Sequence, residues 1–197
     1  MIVGWMKIAR RIRVPMGFLC ALFYLLTAHP SVHSLLWGLV GVVPGLLLRG
    51  YASGYLTKNV GLTTAGPYAY TRNPLYLGSM LIAFGFAVAA HSWWMALALA
   101  ILFMLIYWPT IQLEEEFLRG HFPGFHAYAR SVPRLIPRLT PAKPAGTQAD
   151  MAERGRFSVA LYRKHREYNA LLGSLCIYAV LLLRLYVWQR SLFLHLN

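Results

Sequence analysis

Acidic side chains are scarce here: six Asp and Glu stand against 19 Lys and Arg, and charged residues of both signs fill only 13% of 197 positions. A soluble domain carries about 25% charged residues, so roughly half of the expected solvating charge is missing. Cysteine is almost absent too. Cys20 and Cys176 both lie in apolar runs, so no disulfide framework, Cys-x-x-Cys pair or zinc spacing can be built from them. With 58% hydrophobic residues and a mean hydropathy of +0.49, the composition excludes a disordered chain and argues against a soluble globule. Nor does the net charge of +13 point to nucleic acid, because the basic residues flank apolar runs instead of forming a patch on a soluble fold. What is left is an all-α, polytopic transmembrane helical bundle.

Charge is missing altogether from 14 to 48, and a single helix over that stretch would be about 52 Å long, well beyond the roughly 30 Å hydrocarbon core. The chain must fold back, and His29-Pro30-Ser31 is where proline disfavours helix. This predicts spans near 14–28 and 35–56. Gly41-x-x-x-Gly45 and Gly50-x-x-x-Gly54 on the second span would let another backbone approach closely. A second charge-free stretch, 73 to 113, needs a turn at His91-Ser92 and gives spans near 75–90 and 93–113. The apolar run 169–188 makes about five in all, with Arg184 placed to snorkel to the interface.

The basic residues set an expected orientation. Lys7, Arg10, Arg11 and Arg13 precede span one, Lys58 and Arg72 lie between spans two and three, and ten Lys or Arg lie between spans four and five. The turns 29–34 and 91–92 carry none, so the positive-inside rule puts the N-terminus and both basic loops in the cytoplasm. A charged start before an apolar run resembles a signal peptide, but without a small-x-small cleavage site a signal-anchor is expected. Three parts follow: an N-terminal hairpin (1–56), a loop with the second hairpin and its exit (57–139), and a tail (140–197). The tail opens with a Pro/Ala/Gly linker at 140–149, and Asp150 with Glu153 has capping-box spacing for a new helix. Phe157, Leu161 and Tyr162 interleave there with Arg154, Arg156, Arg163, Lys164 and Arg166, which suits a helix lying along anionic headgroups.

Two densely polar segments could carry chemistry. Thr63 to Gly78 contains Gly66, Pro67, Tyr68, Tyr70, Arg72, Asn73, Pro74 and Tyr76 and leads straight into span three. Its arginine offers a forked donor to a carboxylate or phosphate, its tyrosines offer aromatic faces, and the following helix start presents unpaired N–H groups. Such a loop could hold a small zwitterion with a flat base; an ordinary Gly/Pro turn in an aromatic belt is the equal alternative. The second segment begins at Glu114-Glu115-Glu116, half of the acidic residues in the chain, and continues through Phe122, His126, Tyr128 and Arg134. Adjacent carboxylates splay about 100° apart on a helix, and an inward-facing one at membrane depth is a functional candidate. Pairing with Arg119 or Arg130 is the structural alternative. His29 and His33 have helical ligand spacing, but Pro30 intervenes and no third ligand is near, so no metal site is expected.

Gly66-Pro67-Tyr68 followed by Arg72-Asn73-Pro74-Leu75-Tyr76-Leu77-Gly78 resembles the Gly-Pro-Tyr…Arg-His-Pro-x-Tyr-x-Gly signature of the isoprenylcysteine carboxyl methyltransferase and phospholipid methyltransferase superfamily. The second half is similar as well: Glu114-Glu115 after a hairpin, Phe122-Pro123-Gly124, Tyr128, and Val132-Pro133-Arg134-Leu135-Ile136-Pro137. The resemblance covers roughly 60–138 and implies an integral-membrane methyltransferase that takes S-adenosylmethionine at the cytoplasmic face and a lipid or lipidated acceptor from the bilayer. Carried over by position, Gly66, Tyr68, Arg72, Asn73, Pro74, Tyr76, Gly78 and Tyr128 bind the cofactor, and Glu115, with Glu116 second, orients or deprotonates the acceptor.

Two positions depart from the pattern. Asn73 stands where the family has histidine, so this group cannot become charged. Ile111 stands one turn before Glu115, where enzymes methylating a prenylcysteine carboxylate look to have an arginine. Lacking that cation, Glu115 would repel a carboxylate, and an amine headgroup is the expected acceptor. A sterol-type membrane reductase using NADPH has a similar loop, but its Asn and acid are replaced here by Leu75 and Ser79. A non-catalytic membrane scaffold is the third reading.

Overall fold

The computed structural model describes residues 2–57, 61–142 and 156–195. Among them there is no strand. The helices are α1 (Ile2–Thr27), α2 (Val32–Ser53), α3 (Pro74–Ala89), α4 (Trp93–Leu102), α5 (Trp108–His121), α6 (Phe125–Ser131), α7 (Val159–Lys164) and α8 (Tyr168–His195). A single 3₁₀ turn, Gly66–Ala69, precedes α3, and a π-helical segment, Phe103–Tyr107, joins α4 to α5 without a break.

Both expected reversals occur, and each has a local cause. At Pro30 the helix cannot continue, and Ser31 starts the next one through a reciprocal capping box with Ser34. The Ser34 hydroxyl also donates to the Ala89 carbonyl at 3.0 Å, and the His29 N–H donates to Ala90 at 2.9 Å, so the two hairpin ends are tied together. His91 takes the left-handed conformation (φ 50°) at the second reversal. Next to these turns Tyr24, Leu35, Phe86, Met95 and Leu181 form the main apolar core.

The expected spans need adjustment at their ends. α1 starts at Ile2 rather than near 14, because basic residues do not interrupt backbone hydrogen bonding. The fourth helical run continues to His121, so Glu114–Glu116 lie within α5, and it is Arg119 and His121 that occupy its last turn. The acids therefore do not oppose the helix dipole at its end. Three helices, Val32–Ser53, Trp93–His121 and Tyr168–Gln189, are long and apolar enough to cross a membrane, while Pro15–Thr27 and Pro74–Ala89 are shorter apolar helices. The π-segment has a visible cause in Pro109, whose ring would collide with the carbonyl four residues back in a regular helix.

α2 and α3 pack most intimately, through glycine. A Cβ on Gly41 would lie 2.8 Å from the Gly85 backbone, and one on Gly45 would lie 2.7 Å from the Gly78 carbonyl. The first glycine pair thus receives α3. The second receives the tail: a Cβ on Gly54 would meet the Phe157 ring, and Gly50 faces Tyr162 at 3.5 Å. Arg184 packs its charged end against α1. Its guanidinium bonds the carbonyls of Leu25 and Leu26, closing the C-terminal turn of α1. The expected cap at Asp150 and Glu153, and most of the 140–149 linker, fall outside the described residues; α7 is capped instead by Ser158.

Candidate active site

At the end of the bundle away from the two reversals, the loop before α3, the polar half of α5 and the start of α8 surround one cavity of about 930 Å³. Its floor is built around Glu115, which is only 3% exposed. Arg134 donates to Glu115 Oε2 through Nε (3.1 Å) and Nη2 (2.9 Å), while Asn73 Nδ2 donates to Oε1 at 3.0 Å. Arg72 Nε lies 3.6 Å from Oε1, inside ion-pair range but beyond a hydrogen bond, and this buried nitrogen has no hydrogen-bond partner among the described residues. Burial pulls the Arg72 guanidinium below its ordinary pKa, with the Glu115 carboxylate working against that pull.

Backbone bonds fix the loop against the exit segment. The Arg72 N–H donates to Pro133 and the Arg138 N–H to Tyr70, and the Tyr128 hydroxyl donates to the Tyr68 carbonyl at 2.7 Å. Asn73 is the N-cap residue of α3 yet makes no capping bond, because its amide spans Glu115 and the Arg134 carbonyl. An N-cap asparagine ordinarily stabilises its own helix by about 1 kcal/mol; here that contribution is given up to join two segments. The arginines rest on aromatic rings, Arg72 over Phe125 at 5.9 Å and Arg134 over Trp108 at 5.2 Å. Burial also holds the Tyr68 and Tyr128 phenols above their usual range, so both are neutral donors.

Most of the expected site residues come together. Tyr68, Arg72, Asn73, Pro74, Tyr76, Glu115 and Tyr128 all line the cavity. Gly66, Gly78 and Glu116 do not. Gly66 has φ +59°, and a Cβ there would meet the Tyr55 ring at 2.8 Å, so it shapes the turn. Gly78 sits under Arg49, whose Cγ would lie 2.6 Å from an added Cβ. Glu116 is exposed on another face of α5, as the 100° stagger requires.

The structure also removes the reason for expecting a Glu115 without a cation. Ile111 is fully buried, but Arg134 and Arg72 supply two guanidinium groups from outside α5. A carboxylate held by both, and by an amide, anchors the loop to the exit segment. The neighbouring Glu114 differs. It lines the cavity, accepts from the Tyr76 hydroxyl at 3.0 Å, and among the described residues has no Lys or Arg in ion-pair range. Two further cavity residues, Arg49 and Glu167, were not among the expected site residues. Two signals pointed to them: an isolated arginine closing an apolar run, and an acid standing directly after the basic run Arg163 to Arg166.

Three helices long and apolar enough to cross a membrane mark an integral membrane protein. Residues 48–124 match the family model of the phospholipid methyltransferases, so this segment of the chain is similar to that family. It is also similar to the cobalt-zinc-cadmium resistance protein CzcN of Cupriavidus metallidurans, 36% identical over 105 residues, covering 52% of this chain and 49% of that protein. The nickel-cobalt-cadmium resistance protein NccN of Alcaligenes xylosoxydans xylosoxydans is 34% identical over the same length and shares. The matched stretch is thus about half the length of these relatives. No solved structure matches the chain.

Proposed function

We propose that the protein is an S-adenosylmethionine-dependent methyltransferase acting on a lipid or lipidated acceptor at the cytoplasmic interface. The observation that carries this reading is the meeting of the Arg72 loop and the α5 carboxylates around one cavity, with Arg72 Nε 3.6 Å from Glu115. The cofactor supplies an electrophilic methyl group on a sulfonium. The residues present fit such a zwitterion: Arg72 keeps a buried donor without a hydrogen bond for a carboxylate, and Tyr68, Phe122 and Phe125 offer faces for a flat base. Glu115, Asn73 and Arg134 hold Arg72 in place. Glu114 takes the acceptor proton at a carboxylate oxygen oriented by Tyr76, which favours an amine headgroup over a prenylcysteine carboxylate. Apolar helix faces give the acceptor a bilayer route, and the basic flanks favour a cytoplasmic site and anionic headgroups.

The relatives named for metal resistance suit this reading, since methylating a headgroup amine to a quaternary ammonium removes the lone pair with which that nitrogen could bind a divalent cation. The test is ligand-dependent melting of the detergent-solubilised protein, followed by labelled methyl transfer to extracted lipids. S-adenosylhomocysteine at about 100 times its dissociation constant is expected to stabilise by about 2.7 kcal/mol. Stabilisation by NADPH instead would establish the reductase reading, and no response to either would favour the scaffold.

A further inference from the structure

Beyond the family-matched segment, the tail returns to the cavity and closes part of it. Arg166 adopts φ 53° between α7 and α8, turning the chain so that Glu167 faces inward. Arg49 grips that carboxylate through Nε (3.0 Å) and Nη2 (2.8 and 3.0 Å). The same guanidinium bonds the Ser79 hydroxyl and the Leu75 carbonyl, so a single residue from α2 joins α3 to the tail. Gly78 makes this possible, since a side chain there would occupy the path of Arg49. Both partners are largely buried and both line the cavity, whereas Arg163, Lys164 and Arg166 beside them make no ion pair with any described acid.

A second set of contacts seats the tail independently. The Ser158 N–H donates to the Gly54 carbonyl at 2.9 Å, and the Phe157 ring stacks on Tyr51 and covers Gly54. The tail therefore has an apolar socket at Gly54 and an ionic latch at Arg49, on two sides of the α7 turn.

We infer that the tail is a built-in wall of the methyl-transfer site and that Glu167, latched by Arg49, is the positioning residue that limits access to the cavity. Glu167 acts by position, with both carboxylate oxygens held by the Arg49 guanidinium. This inference rests on the methyltransferase reading for its purpose, but closure can be measured without any ligand. In the full-length protein with Cys20→Ser and Cys176→Ser, the cavity-lining Leu75→Cys would be labelled by a membrane-impermeant maleimide. Adding Glu167→Gln, or separately Gly54→Ala, is expected to speed labelling about tenfold, equivalent to about 1.4 kcal/mol. The exchanged pair Arg49→Glu with Glu167→Arg should recover part of the slow rate. In proteins retaining Leu75, each single change should weaken S-adenosylhomocysteine binding by a similar factor. Unchanged labelling in both single variants would overturn the inference, and Gly54→Ala, which lies outside the cavity lining, decides the matter if Glu167→Gln does not fold. Should the parent bind no S-adenosylhomocysteine while labelling still responds, the functional reading fails and the closure stands.

Discussion

The two ends of the α2–α3 pair are held together in opposite ways. Toward the reversals the helices meet because side chains are missing: Gly38, Gly41 and Gly45 lie against Gly78, Gly85 and Ala89 at backbone distance. At the cavity end the segments meet because charges are present, with Glu115 between two arginines and Glu167 on Arg49. An apolar solvent offers no hydrophobic drive between helices, so close packing must supply the attraction there. Near water, buried guanidinium–carboxylate pairs can fix geometry, but each becomes costly if one partner is removed. The seam tolerates no added atom, and the rim tolerates no lost charge.

The strongest way to break that contrast is to add volume at the seam. Gly85→Val would put a Cβ 2.5 Å from the Gly38 carbonyl and 2.6 Å from the Val42 nitrogen, both rigid backbone atoms. The helices would have to separate, and loss of monodisperse protein on size exclusion is the expected outcome; a well-folded Gly85→Val would refute the seam. Gly173→Ala on α8, with nothing within 4 Å, is the matched control and should stay within about 0.5 kcal/mol of the parent.

Removing charge at the rim comes next. Glu115→Ala strands Arg72, whose side chain is 12% exposed, against Arg134 with no intervening anion. Breaking such a buried pair costs about 3–5 kcal/mol. Melting temperature and cofactor binding should fall together, whereas a residue that only accepts a proton would lose activity and keep its stability. Glu114→Gln should behave in that second way: activity down by about 10²–10⁴ with a normal melting curve. If Glu114→Gln keeps full turnover, the proton acceptor lies elsewhere.

Legibility in the sequence divides along the same line. Proline in an apolar run and the small-residue spacing reveal the reversals and the α2–α3 seam, because both are local consequences of backbone chemistry. The rim depends on pairings across the fold. Ile111 suggests a Glu115 without a cation, yet Arg134 arrives from 19 positions downstream through the α5–α6 corner, and helical spacing carries no trace of it. Gly78 reads as a cofactor glycine in its motif, but its space is filled by Arg49, a partner set by tertiary packing. Tyr68, Arg72 and Asn73 line the cavity from the loop and Tyr128 lines it from α6, and motif spacing singles them out without any one pairing being known.

The gentlest perturbation tests where the rim gives way to the tail socket. The Tyr51 hydroxyl lies 3.0 Å from that of Tyr55, and this hydrogen bond, aided by burial, pushes the Tyr55 pKa up to about 12. An unfolded tyrosine titrates near 10, so between about pH 10 and 12 the folded state binds the extra proton. Stability from this pair is therefore complete below pH 10 and declines as pH rises toward 12. Tyr51→Phe removes the hydroxyl that stabilises neutral Tyr55 and keeps the ring that stacks on Phe157. Its spectroscopic phenol titration should show one group shifted down toward 10, with little change in melting at pH 7. A titration identical to the parent would mean that burial alone controls Tyr55, and the socket would then be apolar throughout, like the seam.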